Sequence, residues 1–383
     1  MSTVFDWYHI KFLESVENLK STLSRSRGRT PNTNLAYEIA VCLQHGRAFF
    51  ESARNSSLDI QPLIVFYGMM NFAKAVIMAA SFERLAALPR SHGLREPSND
   101  GARIENLALI IDEKGTLQRF NDAVRLHEAL LVHDGPNLQK VSLPTSESTG
   151  LEGKRVPLKE ILARIPDLEA MYQRTFGESA MVVGCSHFEV NDYADNIKFG
   201  IHFDEQFKDR ESMKSIVRKL RSMYPVLERW RLVRASYAGG FTALDMTNDP
   251  RPKLGEMEPD DMEEDPYGYR IREFVGERAD RRHVNLTELM QPVSGNLRNG
   301  ATNLIANYEG SYLSEAVLYY LGMFVLSSLV RYKPSSWTSS ISRRTIGQQL
   351  SDDKPIALVE LFLEGALTNF PAMIVNCIRD PIP

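Results

Sequence analysis

Cysteine is scarce in this chain. Cys42, Cys185 and Cys377 are all it has in 383 residues, and no two stand at a C-x-x-C spacing. That argues against a disulfide framework and against a thiolate zinc site, and favours a reducing compartment. An excess of one charge is lacking too. Lys and Arg number 45 against 49 Asp and Glu, a formal net charge of −4. Such a balance speaks against broad coating of nucleic acid, although a local basic patch is compatible with it. No repeat of fixed period occurs, and the eight histidines are dispersed, so no metal and no cofactor is expected. "YAGG" at Tyr237 to Gly240 lacks a Walker lysine and Rossmann spacing, and is read as a bulge or turn.

Targeting and spanning segments are missing as well. The first twenty residues, "MSTVFDWYHIKFLESVENLK", lack the charged start and continuous apolar run of a signal peptide. The fifteen uncharged residues from Ala316 to Val330 would cover about 22 Å as a helix, short of the ~30 Å hydrocarbon core of a bilayer. Pro62 to Ala80 carries Lys74 near its middle, which a lipid-facing span disfavours. Both runs are read as helices buried in protein, and the chain as cytoplasmic with no membrane partner.

What is present is apolar periodicity. With 43% apolar residues the composition supports a sizeable core. Phe5, Ile10, Leu13, Val16, Leu19 and Leu23 step by threes and fours, predicting one amphipathic helix. Gly28 and Pro31 break it. A second helix is expected over about 35–53, capped by Asn32, Thr33 or Asn34, and a third from about Pro62, capped by Asp59. In the middle, "LALIIDEKGTLQRF" reads as a hairpin, and "VPLKEILARIPDLEAMYQRTF" as a helix broken at Pro166. "SAMVVGCSHFEV", "NIKFGIHF" and "WRLVRASYAGGFTALDM" alternate as strands do, with "MKSIVRKLRSMYPVL" a short helix among them. Residues 249–283 are rich in Pro, Gly and charge and are read as a long loop. Helices return at about 312–331 and 355–378. Each is too apolar to stand alone, and the natural partners are the N-terminal helices.

The expected fold class is therefore α+β, predominantly α-helical, with a helical core built from both chain ends and an inserted mixed α/β region. The parts are drawn at 1–84, 85–310 and 311–383.

"IQPLIVFYGMMNFAKAVIMA", then "SHGL", "VPLKEILARIPDLEAMY", "LSSLVRYKPSSW" and "TNFPAMIVNCI", in that order and spacing, resemble the YaaC-like protein family of bacteria. The YG-x5-K pattern, here Tyr67, Gly68 and Lys74, carries most of the likeness. The resemblance implies a bacterial setting. Through related large helical proteins that accompany phage-defence genes, it also implies a setting in anti-phage defence.

Lys74 stands out on the residues themselves. Tyr67, Asn71 and Lys74 fall at i, i+4 and i+7, a polar stripe on an otherwise apolar helix. A buried ammonium is costly unless paired, so the plain reading is an internal salt bridge to Glu38 or Glu315. The functional reading is a ligand-binding lysine. Arg331 suits a helix C-terminus, and Pro334 stops that helix. Alternatively Arg331, Tyr332 and Trp337 form a phosphate or nucleotide surface.

Other constellations carry less. Cys185, His187 and Glu189 would share one strand face, but the spacing is wrong for a nucleophile and its base. Arg278 to His283 fits the Arg-x4-6-His pattern of HEPN-type helical ribonucleases, although Ala279 follows the arginine and the surroundings read as a charged loop. The acidic run from Glu256 to Asp265 lacks EF-hand spacing and reads as a solvated or partner-binding loop. The leading expectation is a non-enzymatic interaction or scaffold protein whose partner is another protein or a second copy. Against it stand a ribonuclease using Arg278 and His283, and a nucleotide or small-ligand sensor using Tyr67, Asn71, Lys74 and Arg331.

Overall fold

The computed structural model describes residues 7–127, 129–134, 137–142, 150–185, 187–190, 197–203, 231–238, 241–247, 262–265, 268–271, 290–292, 302–306, 308–309, 313–341 and 354–381. Its helices, in chain order, are α1 (Tyr8–Leu13), α2 (Val16–Arg27), α3 (Thr33–Arg54), α4 (Gln61–Ser81), α5 (Thr116–Arg125), α6 (Leu158–Leu162), α7 (Glu169–Phe176), α8 (Glu315–Tyr332), α9 (Pro334–Ile341) and α10 (Lys354–Arg379). Contacts divide the chain into two compact units. One comprises Met1–His127, Thr145–Glu178 and Ser311–Pro383; the other comprises Glu128–Pro144 and Ser179–Gly310. Of the insertion drawn at 85–310, residues 85–127 and 150–178 fall in the first unit. The fold is α+β and predominantly helical.

In the helical unit α4 is the centre, touching α3, α5, α8 and α10. Two glycines bring α3 and α4 together. A Cβ on Gly46 would lie 2.6 Å from the Phe72 ring, and one on Gly68 would lie 2.5 Å from the Phe50 ring, so each helix receives an aromatic ring of the other. Around α4 the rings continue from Phe66 to Tyr320 (5.4 Å), from Tyr320 to Phe120 (5.5 Å) and from Phe120 to Phe370 (6.0 Å). One apolar core is therefore made from residues hundreds of positions apart. Tilted ring pairs of this kind add to area burial.

The ends clasp by hydrogen bonds as well. Arg27, in the last turn of α2, donates to the carbonyls of Cys377 and Asp380 (2.8 Å for Asp380), and Ser26 Oγ donates to Ile378 O (3.0 Å). The Cys377 and Ile378 carbonyls lie in the last turn of α10, where no helical N–H follows to meet them, and Asp380 stands just beyond it. Inside α10, Pro371 has no N–H for Leu367 O. Arg54 Nη2 donates to that carbonyl instead, at 3.2 Å.

Several local expectations change. The first amphipathic run is two helices, since Ser15 accepts from Asn18 N and starts α2 anew. Helix α3 is capped by Asn32, whereas α4 begins after Ile60 with no side-chain cap, so Asp59 does not serve. The hairpin around Asp112 to Gly115 is a strand, β2 (Ala108–Ile111), followed by helix α5. Leu117, Phe120, Asn121, Ala123 and Val124 are buried in it, a helical spacing of three and four that the adjoining turn residues mask. Strand β2 lies between β1 (Leu94–Arg95) and β5 (Arg155–Pro157), both antiparallel to it. Beyond Lys333 the chain does not leave helix for long, because Pro334 opens α9.

The second unit holds the remaining strands. They are β3 (Ala129–Asp134), β4 (Asn137–Ser142), β6 (Val182–Cys185), β7 (His187–Val190), β8 (Ile197–Phe203), β9 (Arg231–Ala238), β10 (Phe241–Thr247), β11 (Met262–Asp265), β12 (Gly268–Ile271), β13 (Met290–Pro292) and β14 (Thr302–Ala306). An eight-stranded sheet has the order β11-β12-β9-β10-β8-β7-β3-β4, and a three-stranded one the order β13-β14-β6. Within 249–283, read as loop, β11 and β12 pair antiparallel and take up Glu263, Glu264 and Asp265 of the acidic run. Cys185 ends β6 in one sheet, whereas His187 opens β7 in the other, so they do not share a strand face. The helix expected over "MKSIVRKLRSMYPVL" lies outside the described residues.

Helices Gln61–Ser81 and Pro355–Arg379 are long and apolar enough to cross a membrane by length and composition, with 61% and 67% of their apolar windows buried. Such burial is that of core helices.

Candidate functional site

The stripe on α4 is real, and its three residues are half-buried. Tyr67 packs against Phe49 of α3 with ring centroids 6.0 Å apart. Asn71 Nδ2 donates to Tyr67 O at 2.8 Å. Gly68 of the same YG-x5-K pattern is accounted for by the Phe50 ring above it. Lys74 is not accounted for by packing, nor by a salt bridge. Glu38 is taken by Arg84, whose guanidinium grips both carboxylate oxygens, and by Leu85 N. Glu315 is buried, but Lys74 is not its partner. The expected internal tie is absent because Arg84, a fork-shaped donor, matches the Glu38 carboxylate in two bonds. Among the described residues Lys74 Nζ has no ion-pair partner.

Lys74 acts instead on two neighbours. One is Cys42, whose buried thiol is pushed up to about 11, the Lys74 charge opposing that rise. At neutral pH Cys42 is therefore a protonated, inert core side chain. The other is His92, in the SHGL segment before β1. Burial first, then the charges of Arg331 and Lys74, hold its imidazole below the ordinary value. Its ring stands 5.5 Å from Phe66 and 6.1 Å from Phe324, and its buried Nδ1 has no hydrogen-bond partner. Charges from α4 and α8 thus both bear on one histidine.

The SHGL segment is held firmly. The first amides of α5 cap it: Thr116 N donates to Ser91 O (3.0 Å) and Leu117 N to His92 O (3.1 Å). Gly93, at φ 75°, meets Gly115 so closely that a Cβ on Gly115 would lie 2.2 Å from Gly93 Cα. Further on, Lys333 Nζ pairs with Glu96 Oε2 at 2.7 Å, with side chains only 16% and 6% exposed, and also reaches Ser98 O. That knot ties the His92 segment to the end of α8, close in sequence to Arg331. It accounts for the lysine of Arg-Tyr-Lys-Pro.

The family model for YaaC-like proteins matches residues 11–378, nearly the whole chain. The chain belongs to the YaaC-like family. No curated protein and no solved structure matches it. Lys74 of YG-x5-K and Arg331 of RYKP, which carried the family likeness, are the two charges that bear on His92 of SHGL.

Of the other candidates, Arg331 is exposed in the last turn of α8, its guanidinium 4.9 Å from the Tyr332 ring. Trp337 is only 2% exposed, so it cannot stack on a ligand there. Arg278 and His283 lie outside the described residues. Among the described residues no group of three or more His, Cys, Asp or Glu could hold a metal. Residue reasoning passed over His92, because HGL by itself is a weak motif. Its signal was available in the family pattern and only there.

Proposed function

We propose that this YaaC-like protein is a ligand-responsive interaction protein that binds a small phosphate-bearing anion at Lys74, His92 and Arg331. One observation carries the reading: the buried Nδ1 of His92 has no hydrogen-bond partner, and Lys74 and Arg331, whose charges bear on that ring, have no carboxylate partner among the described residues. For the half-buried Lys74 ammonium, an unpaired charge carries a desolvation cost that a bound counter-ion would offset. A phosphate oxygen set offers acceptors for ammonium, guanidinium and imidazolium together. Tyr67 and Asn71 extend the polar surface along α4 toward whatever the phosphate is attached to. The liganded surface would then recruit a protein partner or a second copy in the cytoplasm, and anti-phage defence is the setting the family resemblance implies.

Titration calorimetry with inorganic phosphate and with ATP tests it. Saturable binding is expected, weakened roughly 10- to 150-fold by Lys74→Met or Arg331→Met, the loss of one charge-assisted contact of about 1.5–3 kcal/mol. No heat with either probe, together with an unmoved His92 resonance, overturns the proposal.

A further inference from the structure

A second site lies at the other end of α4. A cavity of about 370 Å³ opens between the α3–α4 turn and one face of α10. Arg54 from the last turn of α3 lines it, as do Leu58 of the turn, Gln61 of α4, and Leu363, Glu364 and Leu367 of α10, with Glu360, a second carboxylate that is itself engaged, at the same wall. Gln61 is thirteen residues from Lys74, about 20 Å along the helix, so this cavity is separate from the Lys74 site.

Its charged groups are arranged without being spent on each other. Arg54 is pinned by Nη2, which donates at 3.2 Å to the Leu367 carbonyl that Pro371 leaves free. Its Nε is buried and has no partner, and among the described residues no carboxylate pairs with it. Glu364 is exposed on α10, lines the same cavity, and forms no ion pair among the described residues. Opposite charges that share a cavity and yet stay more than an ion-pair distance apart leave a gap that a zwitterion would bridge. Leu58, Leu363 and Leu367 supply an apolar wall to the same cavity. The volume stands at the lower end of the ~300–1,000 Å³ typical of small-molecule sites, which suits a ligand of few heavy atoms.

From this geometry we infer that the cavity binds a free α-amino acid with an apolar side chain. Its carboxylate meets Arg54, its ammonium meets Glu364, and its side chain lies on the leucines. A charge-assisted guanidinium–carboxylate pair fixes one end, and the Glu364 charge selects for the amine.

The test uses the full chain and titration calorimetry with four probes: L-leucine, L-phenylalanine, L-leucinamide, which lacks the carboxylate, and 4-methylpentanoate, which lacks the amine. Leucine or phenylalanine should bind saturably at micromolar to millimolar concentration, and both truncated probes at least tenfold more weakly. Glu364→Gln changes an exposed residue, so its melting temperature should match the wild type while leucine binds no better than 4-methylpentanoate. Arg54→Met should abolish binding, but it also frees the Leu367 carbonyl, so Glu364→Gln is the deciding variant. Absence of binding by both amino acids overturns the inference. So does unchanged leucine affinity in Glu364→Gln, or 4-methylpentanoate binding as tightly as leucine.

Discussion

Lys74 shows how one side chain separates architecture from function. A paired buried lysine would lose about 3–5 kcal/mol on mutation, because its carboxylate would be stranded. Here Glu38 belongs to Arg84, so nothing is stranded when Lys74 is removed. Lys74→Met should therefore leave thermal stability unchanged or raised while phosphate binding falls. A melting temperature several degrees lower would restore the internal-tie reading. His92 gives the complementary prediction. Its folded value is depressed from the ordinary 6.5, so the unfolded chain takes up the proton first as pH falls. Its contribution to stability is intact above about 6.5, is lost as pH drops below that value, and levels off below the folded value. A bound anion favours the imidazolium, so phosphate affinity should increase over that same window. Denaturant melts and NMR titration of the His92 ring check both signs, and Lys74→Met should move the His92 midpoint upward.

At the scale of elements, the proposed site depends on a short irregular segment held between helices. Residues 91–98 have little regular structure, but both edges are fixed, by the N-terminus of α5 and by the Glu96–Lys333 pair. Lys333→Met removes one member of a pair buried on both sides and should destabilise the protein by about 3–5 kcal/mol, measured by denaturant unfolding. Double replacement with Glu96→Leu should recover part of that, since an apolar pair of similar volume strands no charge. Gly115→Ala would force Gly93 away. An overpacking cost of about 1–3 kcal/mol is expected, with weaker phosphate binding as His92 is displaced. The elements also show why local sequence signals misled. "DEKG" reads as a turn between strands, and it is a turn, but it leads into a helix whose buried face is settled by packing on α4. Likewise Ser15 divides what periodicity alone joins, because a capping hydroxyl can start a new helix without breaking the apolar stripe.

At the scale of the molecule, the helical core is closed by its two ends. Phe50, Phe72 and Phe120 need Phe370, and Phe66 needs Tyr320, so no N-terminal piece buries its own apolar surface. A chain ending at residue 341, without α10, should lose cooperative unfolding in a thermal melt; a sharp transition near the full-length temperature would refute the shared core. Arg27→Met tests the clasp more gently. Loss of its bonds to the α10 carbonyls should cost about 1.5–3 kcal/mol in chemical denaturation.

The sequence by itself determined the helical class, the pairing of both ends and the stripe of Tyr67, Asn71 and Lys74. Those depend on period and on hydrophobic burial, which are local properties or sums over the chain. It also supplied each residue of the proposed site, in three separate motifs. Tertiary structure alone decided which carboxylate Lys74 would meet, and that it would meet none, because Arg84 holds Glu38. It alone set His92 within the influence of the Lys74 and Arg331 charges, and opened a cavity lined by Arg54 and Glu364. Electrostatic partnership depends on distances between residues hundreds of positions apart, and a linear pattern does not contain those distances until the core has closed.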